Sequence, residues 1–137
     1  MHAPISVLVV ANVTADSPEL INTLRARLED GPDRFTLVMP CVGPGLQARD
    51  VARPRLDAAL AAWREAGIEA DGIIGDEDPV EAVLEVWDPR RHDEIIVSTL
   101  PGHRSRWMRT DLPSRLMRAT DASRVTHVSS SGAAAVR

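Results

Sequence analysis

The chain has 137 residues, 44% of them hydrophobic and 26% charged, and its formal net charge at pH 7 is −4. These values are typical of one globular domain with a single core, and the negative charge argues against general nucleic-acid binding. All 16 basic residues are arginine and Cys41 is the only cysteine, which excludes lysine-based catalysis and a disulfide within the chain.

Strand and helix patterns alternate from the first residues onward. Residues 5–10 are apolar and rich in β-branched side chains, which is typical of a buried parallel strand. Ser17 and Pro18 supply a capping side chain and an N1 proline, so a helix is predicted to begin there and to end at Gly31. A second strand is predicted at 35–39 and, after a Gly/Pro-rich loop at 40–50, a second helix at 51–66 with Trp63 on its buried face.

The alternation continues through the second half of the chain. Further strands are predicted at 68–74, 94–97 and 124–128, and further helices after Asp78-Pro79, with Leu84 and Trp87 on the buried face, and at 112–119. The βαβαβαβαβ order predicts a single-domain α/β fold, an open parallel five-stranded sheet with helices on both faces, Rossmann-like. The domain is predicted to cover residues 1–128, and 129–137, which are small and polar, to form a flexible C-terminal tail.

The segment 95–115 is the strongest candidate for a site, because a buried strand is followed by a polar, arginine-rich loop and then a helix start. Anionic ligands bind at the carboxyl ends of strands in open α/β sheets, and arginine forks match phosphate. The arginines could instead form a solvated basic surface or pair with acids across a dimer. Ser98 and Thr99 could donate to a ligand or bond local backbone, and the same two alternatives hold for Asn12 and Thr14 after the first strand.

Other polar groups carry weaker signals. Asp76, Glu77 and Asp78 could hold a metal, but Asp78 before Pro79 is better interpreted as a helix cap. Trp107 could pack on the sheet, fill a dimer interface or cover a ligand. The sequence contains no nucleophile elbow and no metalloprotease motif, so no catalytic or metal-binding residue is predicted.

The order of elements, the Gly75-Asp76 turn before the third helix, the strand at 95–97 and the loop leading to Leu112-Pro113-Ser114-Arg115 resemble the universal stress protein superfamily. The resemblance covers about residues 5–128. It implies the sheet order 3-2-1-4-5 and, in the members that bind ATP, a nucleotide pocket at the crevice. It also implies a homodimer formed through the last strand. The predicted dimer interface is Val125, Thr126, His127 and Val128.

The ATP-binding members carry the motif G-x2-G-x9-G-[ST] after the fourth strand. Its glycine positions fall here on Ser98, on Pro101 with Gly102 adjacent, and on Thr110 or Asp111. Proline lacks the amide that a phosphate needs, and an aspartate places negative charge beside it. The family's acidic residue after the first strand falls on Asn12, a poor magnesium ligand. The candidate nucleotide- or anion-binding residues are Asn12, Val13, Thr14, Val38, Ser98, Thr99, Gly102, Arg104, Arg106, Thr110 and Asp111.

Two functional hypotheses follow, with a third from outside the family. The first is a non-enzymatic stress-response or regulatory domain, homodimeric, with an altered or vestigial nucleotide pocket, acting through a ligand or a protein partner. The alternative is a universal stress protein that binds ATP or another adenine nucleotide as a sensor or slow ATPase. The third is an unrelated flavodoxin-like or nucleotide-transferring domain. Because no apolar run spans a bilayer and the N-terminus lacks signal-peptide features, we expect a cytoplasmic location and no membrane contact.

Overall fold

The computed structural model describes residues 4–130, and its centre is one parallel sheet. The strands are Ser6–Val10 (β1), Arg34–Pro40 (β2), Ala70–Gly75 (β3), Glu94–Thr99 (β4) and Arg124–Ser129 (β5). Their order is β3-β2-β1-β4-β5, and every neighbouring pair is parallel. The predicted fold class and strand order are therefore confirmed.

Five helices and one 3-10 turn connect the strands. They are Pro18–Asp30 (α1), Leu46–Glu65 (α2), Pro79–Leu84 (α3), the 3-10 turn Gly102–Arg104, Arg106–Arg109 (α4) and Leu112–Ala119 (α5). Successive side chains of a strand point to opposite faces of the sheet. Val7 and Val9 of β1 accordingly pack under α1 and α2, whereas Leu8 and Val10 pack under α3 and α5. None of the helices in the described part of the chain combines the length and the apolar character that a membrane span requires.

Helix starts agree with their local sequence signals in two cases and differ in a third. Ser17 caps α1 by accepting the Leu20 N–H, and Asp78 caps α3 by accepting the Val80 N–H. Helix α2, however, begins at Leu46, five residues before the predicted start, and carries Pro54 in its interior. Gly45, with φ of +90°, marks the end of the turn. The residues directly after it are helical, although the sequence predicts a loop up to residue 50.

Burial also departs from prediction at two residues of the predicted third helix, of which Trp87 lies beyond the end of α3. Trp63 is fully buried as predicted, but Trp87 is half-buried, and its Nε1–H donates to Asp121 Oδ1 at 2.7 Å. Leu84, predicted to face the core, is 42% exposed, because α3 ends there and Ala82 and Val83 fill the contact with the sheet.

The domain extends beyond the predicted boundary at residue 128. Strand β5 runs to Ser129, and Ser130 is fully buried, with its backbone N–H donating to the Thr99 carbonyl at 2.7 Å. These two residues therefore belong to the folded domain rather than to the predicted tail. The remainder of that predicted tail, 131–137, lies outside the described residues.

His92, in the loop before β4, predicts a loss of stability in mild acid. Its Nδ1 accepts the Asp88 N–H at 2.9 Å, so this nitrogen carries no proton in the fold. Burial, and then the charge of Arg91, lower the pKa of His92 below its ordinary 6.5. The unfolded chain thus takes up a proton at a higher pH than the folded chain does. Stability is present above pH 6.5 and is lost as the pH falls below it.

We expect a lower melting temperature at about pH 5.5 than at about pH 7.5, measured by circular dichroism. His92→Asn keeps an acceptor for the Asp88 N–H but cannot be protonated, so the variant should lose part of this pH dependence. His127, whose pKa is also lowered by burial, remains as a second contributor in that variant. An unchanged pH dependence in His92→Asn would contradict the assignment.

Candidate functional site

A cavity of about 620 Å³ lies where the carboxyl ends of the strands meet. The loops after β1, β2, β3 and β4 and the first turns of α5 surround it, because parallel strands present these loops at one edge of the sheet. The predicted site residues that line this cavity are Asn12, Val13, Thr14, Ser98, Thr99, Arg104, Arg106 and Thr110.

Three predicted site residues do not line the cavity. Val38 is fully buried inside β2, on the sheet face that α3 and α5 cover. Gly102 is exposed in the 3-10 turn. Asp111 is exposed and has φ of +53°, a left-handed conformation that aspartate tolerates better than most residues. Its carbonyl accepts the Arg115 N–H at 3.1 Å, so Asp111 initiates α5.

The floor of the cavity is a chain of hydroxyl groups that bond one another. Thr14 Oγ1 lies 2.6 Å from Ser98 Oγ, which in turn lies 3.1 Å from Ser130 Oγ. Thr14 and Ser98 are each 1% exposed. Because both neighbours of the Ser98 hydroxyl are already in place, this group connects β4 to the loop after β1 and to the residue that follows β5. The local backbone cap predicted as one alternative for Ser98 is not what its hydroxyl forms, and its role as a ligand donor stays a prediction.

Thr99 and His127 form the second polar contact of the floor. The Thr99 hydroxyl donates its single hydrogen to the Leu100 carbonyl at 2.8 Å, and His127 Nε2 lies 2.7 Å from the same oxygen. His127 must therefore be the donor to Thr99 through Nε2–H. Burial lowers the pKa of His127, which favours this neutral ring. A histidine that donates to a hydroxyl is not acting as its general base, so the pair is not an activated nucleophile.

Asn12 braces the loop after β1. Its Nδ2 donates to the Pro40 carbonyl at 2.6 Å, and its Oδ1 accepts from Arg55 Nη1 of α2. Three residues further along, the Ala15 carbonyl accepts the Trp63 Nε1–H at 2.7 Å. Both ends of the Asn12 amide are therefore used to fix the loop, which favours the structural alternative for this residue.

One wall of the cavity is basic. We call Arg104, Arg106 and Arg115 the arginine wall. Arg115 is partly engaged, since Nη1 donates to Thr110 Oγ1 at 3.2 Å and Nη2 lies 3.7 Å from Asp78 Oδ1. Arg104 and Arg106 are exposed, and neither pairs with a carboxylate among residues 4–130. Two guanidinium groups are thus available to an anion.

A second part of the cavity wall is acidic and is formed by Asp76, Glu77 and Asp78, of which Asp78 adjoins Arg115. Asp78 Oδ1 accepts the Val80 N–H at 2.9 Å, as predicted for a helix cap, and Asp76 Oδ1 accepts the Asp78 N–H at 2.9 Å. Gly75 places this wall: a Cβ there would lie 2.6 Å from the Ala82 Cβ, so only glycine lets α3 approach β3 this closely. No group of three or more His, Cys, Asp or Glu in the described ranges is arranged to hold a metal ion.

Several residues that complete the site were not among those predicted for the nucleotide site. Trp107 is half-buried and packs against the core, as the packing alternative predicted, and it also lines the cavity. Ser105 is buried and caps α4 by accepting the Met108 N–H at 3.1 Å. The predicted sheet order could have indicated that the loops after β2 and β3 belong to the site, because it places them at the same edge of the sheet as residues 95–115. The lining residues not predicted for the nucleotide site are Pro40, Cys41, Val42, Gly43, Asp76, Glu77, Asp78, Pro79, Leu100, Ser105, Trp107 and Arg115.

An open parallel sheet with a crevice between β1 and β4, where the strand order reverses, defines the class of doubly wound α/β folds. Solved structures of universal stress proteins share this fold. One, in complex with cAMP, is 20% identical, with a TM-score of 0.63 over 93% of this chain and 98% of the other. Another, from Archaeoglobus fulgidus, is 16% identical, with a TM-score of 0.53 over 90% and 93% of the two chains.

A third structure, the universal stress protein from Archaeoglobus fulgidus in complex with dAMP, is 17% identical, with a TM-score of 0.51 over 90% and 97% of the two chains. No protein-family model and no curated protein matches the sequence. The chain therefore has the universal stress protein fold, as the resemblance in its sequence predicted.

Proposed function

We propose that the chain is a cytoplasmic, non-enzymatic regulatory domain of the universal stress protein type, whose crevice binds an adenine nucleotide through arginine side chains. The observation that carries the proposal is the cavity of about 620 Å³ with two exposed arginines on one wall. The cAMP and dAMP bound by two proteins of the same fold support an adenine monophosphate as the ligand class. Binding would then change the association of the domain with a second copy or a protein partner.

The chemistry of the walls favours a monophosphate that binds without magnesium. The three glycine positions of the family motif hold other residues, so a close backbone cradle for a triphosphate is missing. Guanidinium groups supply charge and paired donors in its place. Asn12, at the family's acidic position, has its amide oxygen engaged by Arg55 and offers no carboxylate to a metal.

Calorimetric titration with AMP, with and without magnesium, tests this proposal. We expect submillimolar affinity that magnesium does not change. No heat at AMP concentrations of a few millimolar, roughly a free energy of binding weaker than 4 kcal/mol, would contradict it.

The alternative is an ATP sensor or slow ATPase, with ATP as the cofactor. The acidic wall favours this alternative, because carboxylates are the ligands that Mg²⁺ prefers. This alternative predicts that ATP binding needs magnesium, that the affinity for ATP exceeds that for AMP, and that phosphate is released slowly. A titration with ATP in the presence of magnesium, read with a phosphate assay, separates the two candidates.

The homodimer remains part of the proposal. Strand β5 is an edge of the sheet, and its residues Val125, Thr126 and Val128 are half-buried. An edge strand offers unpaired backbone groups to a second strand. A second copy of the chain, pairing through 125–128, satisfies both the backbone and these side chains.

Light scattering tests the dimer with two matched variants. We expect a mass twice the monomer's 14.9 kDa for the wild type and a monomer for Thr126→Lys, because a lysine on an edge strand opposes pairing. Ile73→Lys places the same charge on β3, the opposite edge, and should leave the dimer intact. A monomeric wild type, or a dimer lost only in Ile73→Lys, would contradict the assignment to β5.

A further inference from the structure

A second cavity, of about 450 Å³, adjoins the first at the start of α2. Asn12 and Val42 line both cavities and so form the boundary between them. Beyond that boundary the lining is mainly apolar, formed by Pro44, Ala48 and Val51, with Gln47 and Arg55 as the polar members. We call this second cavity the α2 groove.

The surface around the α2 groove is unusually apolar for this chain. The three most exposed large apolar side chains in the described part of the chain are Val42, Leu46 and Val51, at 72%, 80% and 75% exposure. They fall within ten residues of one another. The adjacent Gly43 and Gly45 have φ of +86° and +90°, so the turn that carries Val42 requires glycine for its backbone conformation. Val42 and Val51 both line the groove, so exposed apolar side chains stand next to a polar cavity, an arrangement typical of binding surfaces.

The position of the groove relative to the arginine wall defines what it could hold. The arginines come from the β4–α5 segment, whereas the groove lies beyond the loops after β1 and β2. A ligand whose phosphate rests on the arginine wall would therefore reach the groove with its opposite end. The braced Asn12 amide fixes the floor of that path, and Val42 lies beside it on the glycine-rich turn.

We propose that the α2 groove is a second subsite of the crevice, which takes an apolar or aromatic group at the end of the ligand remote from its phosphate. The inference rests on the proposed function and extends it. The ligand class becomes a phosphorylated molecule larger than a simple mononucleotide, with an apolar substituent on its base. The two cavities together supply both halves of such a ligand: arginines for the charge, and valines and proline for the apolar end.

AMP and N6-benzyl-AMP test the subsite, because they share one phosphate and differ only in an apolar ring. We expect the wild type to bind N6-benzyl-AMP about tenfold more tightly by calorimetry, since the ring removes apolar surface from water in the groove. Val51→Gln, an exposed position on α2 that lines only the groove, should abolish that advantage and leave AMP affinity unchanged. Met117→Gln, half-exposed on α5 and lining neither cavity, is the matched control and should retain it.

The outcomes separate this inference from the proposed function. If AMP does not bind at all, the proposed function fails and the subsite falls with it. If AMP binds but the benzyl group adds nothing, only the subsite is overturned, and the groove is left to a protein partner. An advantage that persists in Val51→Gln, or disappears equally in Met117→Gln, would also overturn it.

Discussion

Trp63→Ala should destabilise the domain by about 3 to 5 kcal/mol, a large part of the total stability of a domain of this size. Trp63 is fully buried between α2 and the sheet, among the residues of the α1/α2 side of the core. Truncation removes its apolar contacts and leaves a cavity that a rigid core closes only in part. It also leaves the Ala15 carbonyl without the 2.7 Å hydrogen bond from Nε1.

Urea unfolding followed by far-UV circular dichroism measures this loss of stability. A second substitution separates the contribution of the hydrogen bond from that of the ring. Trp63→Phe keeps most of the ring but has no N–H, so about 1 to 3 kcal/mol should be lost through the unpaired carbonyl. Because its expected loss is smaller, Trp63→Phe still tests the role of Trp63 if Trp63→Ala does not fold. Leu84→Ala, at a half-exposed helix position, is the control and should change stability little. A Trp63→Ala variant within about 1 kcal/mol of the wild type would refute the role.

The Trp63 bond also connects the core to the site. Ala15 closes the turn that begins at Asn12, through a hydrogen bond from its own N–H to the Asn12 carbonyl at 3.1 Å. The loop that lines the crevice is therefore anchored twice, once by a buried tryptophan and once by the Asn12 amide. We expect Trp63→Phe to weaken ligand binding modestly as well as the fold, although Trp63 does not line the cavity.

The parallel α/β sheet could be predicted because apolar strands alternate with helix signals along the chain, whereas its order 3-2-1-4-5 was implied by the resemblance to the universal stress proteins. Ser17-Pro18 and Asp78-Pro79 begin helices by local chemistry alone, and the structure agrees at both. The start of α2 was missed because Gly43-Pro44-Gly45 marks a turn without showing how soon the next helix begins. The end of β4 was missed because Ser98 and Thr99 look like loop residues when their partners are unknown.

Those partners are distant in sequence, which is why the floor of the site could not be predicted. Thr14 and Ser98 are 84 positions apart, and Thr99 and His127 are 28 apart. Only the folded sheet brings them together. The arginine wall was predictable in outline, because Arg104 and Arg106 belong to one local segment. Which arginines of that segment line the cavity depends on α4, a four-residue helix that the sequence did not reveal.

Arg104→Ala/Arg106→Ala should weaken AMP binding at least about a hundredfold. A charge-assisted hydrogen bond contributes about 1.5 to 3 kcal/mol, and each 1.4 kcal/mol is a factor of about ten in affinity. Both arginines are exposed, so their removal should leave the melting temperature nearly unchanged. Lysine at both positions keeps the charge but not the planar fork, and should give an intermediate affinity.

Arg118→Ala is the matched control for this prediction. Arg118 is an exposed arginine of α5 that does not line the cavity, so its removal changes the net charge by one without touching the arginine wall. Calorimetry at low and high salt completes the test, because an anion held mainly by exposed guanidinium groups binds more weakly as ionic strength rises. AMP binding that survives the double substitution, or that falls as far in Arg118→Ala, would show that the phosphate does not rest on these two side chains. If binding survives the double substitution, the crevice binds the nucleotide through its base and ribose instead. If it falls as far in Arg118→Ala, the general positive charge of α5 attracts the nucleotide.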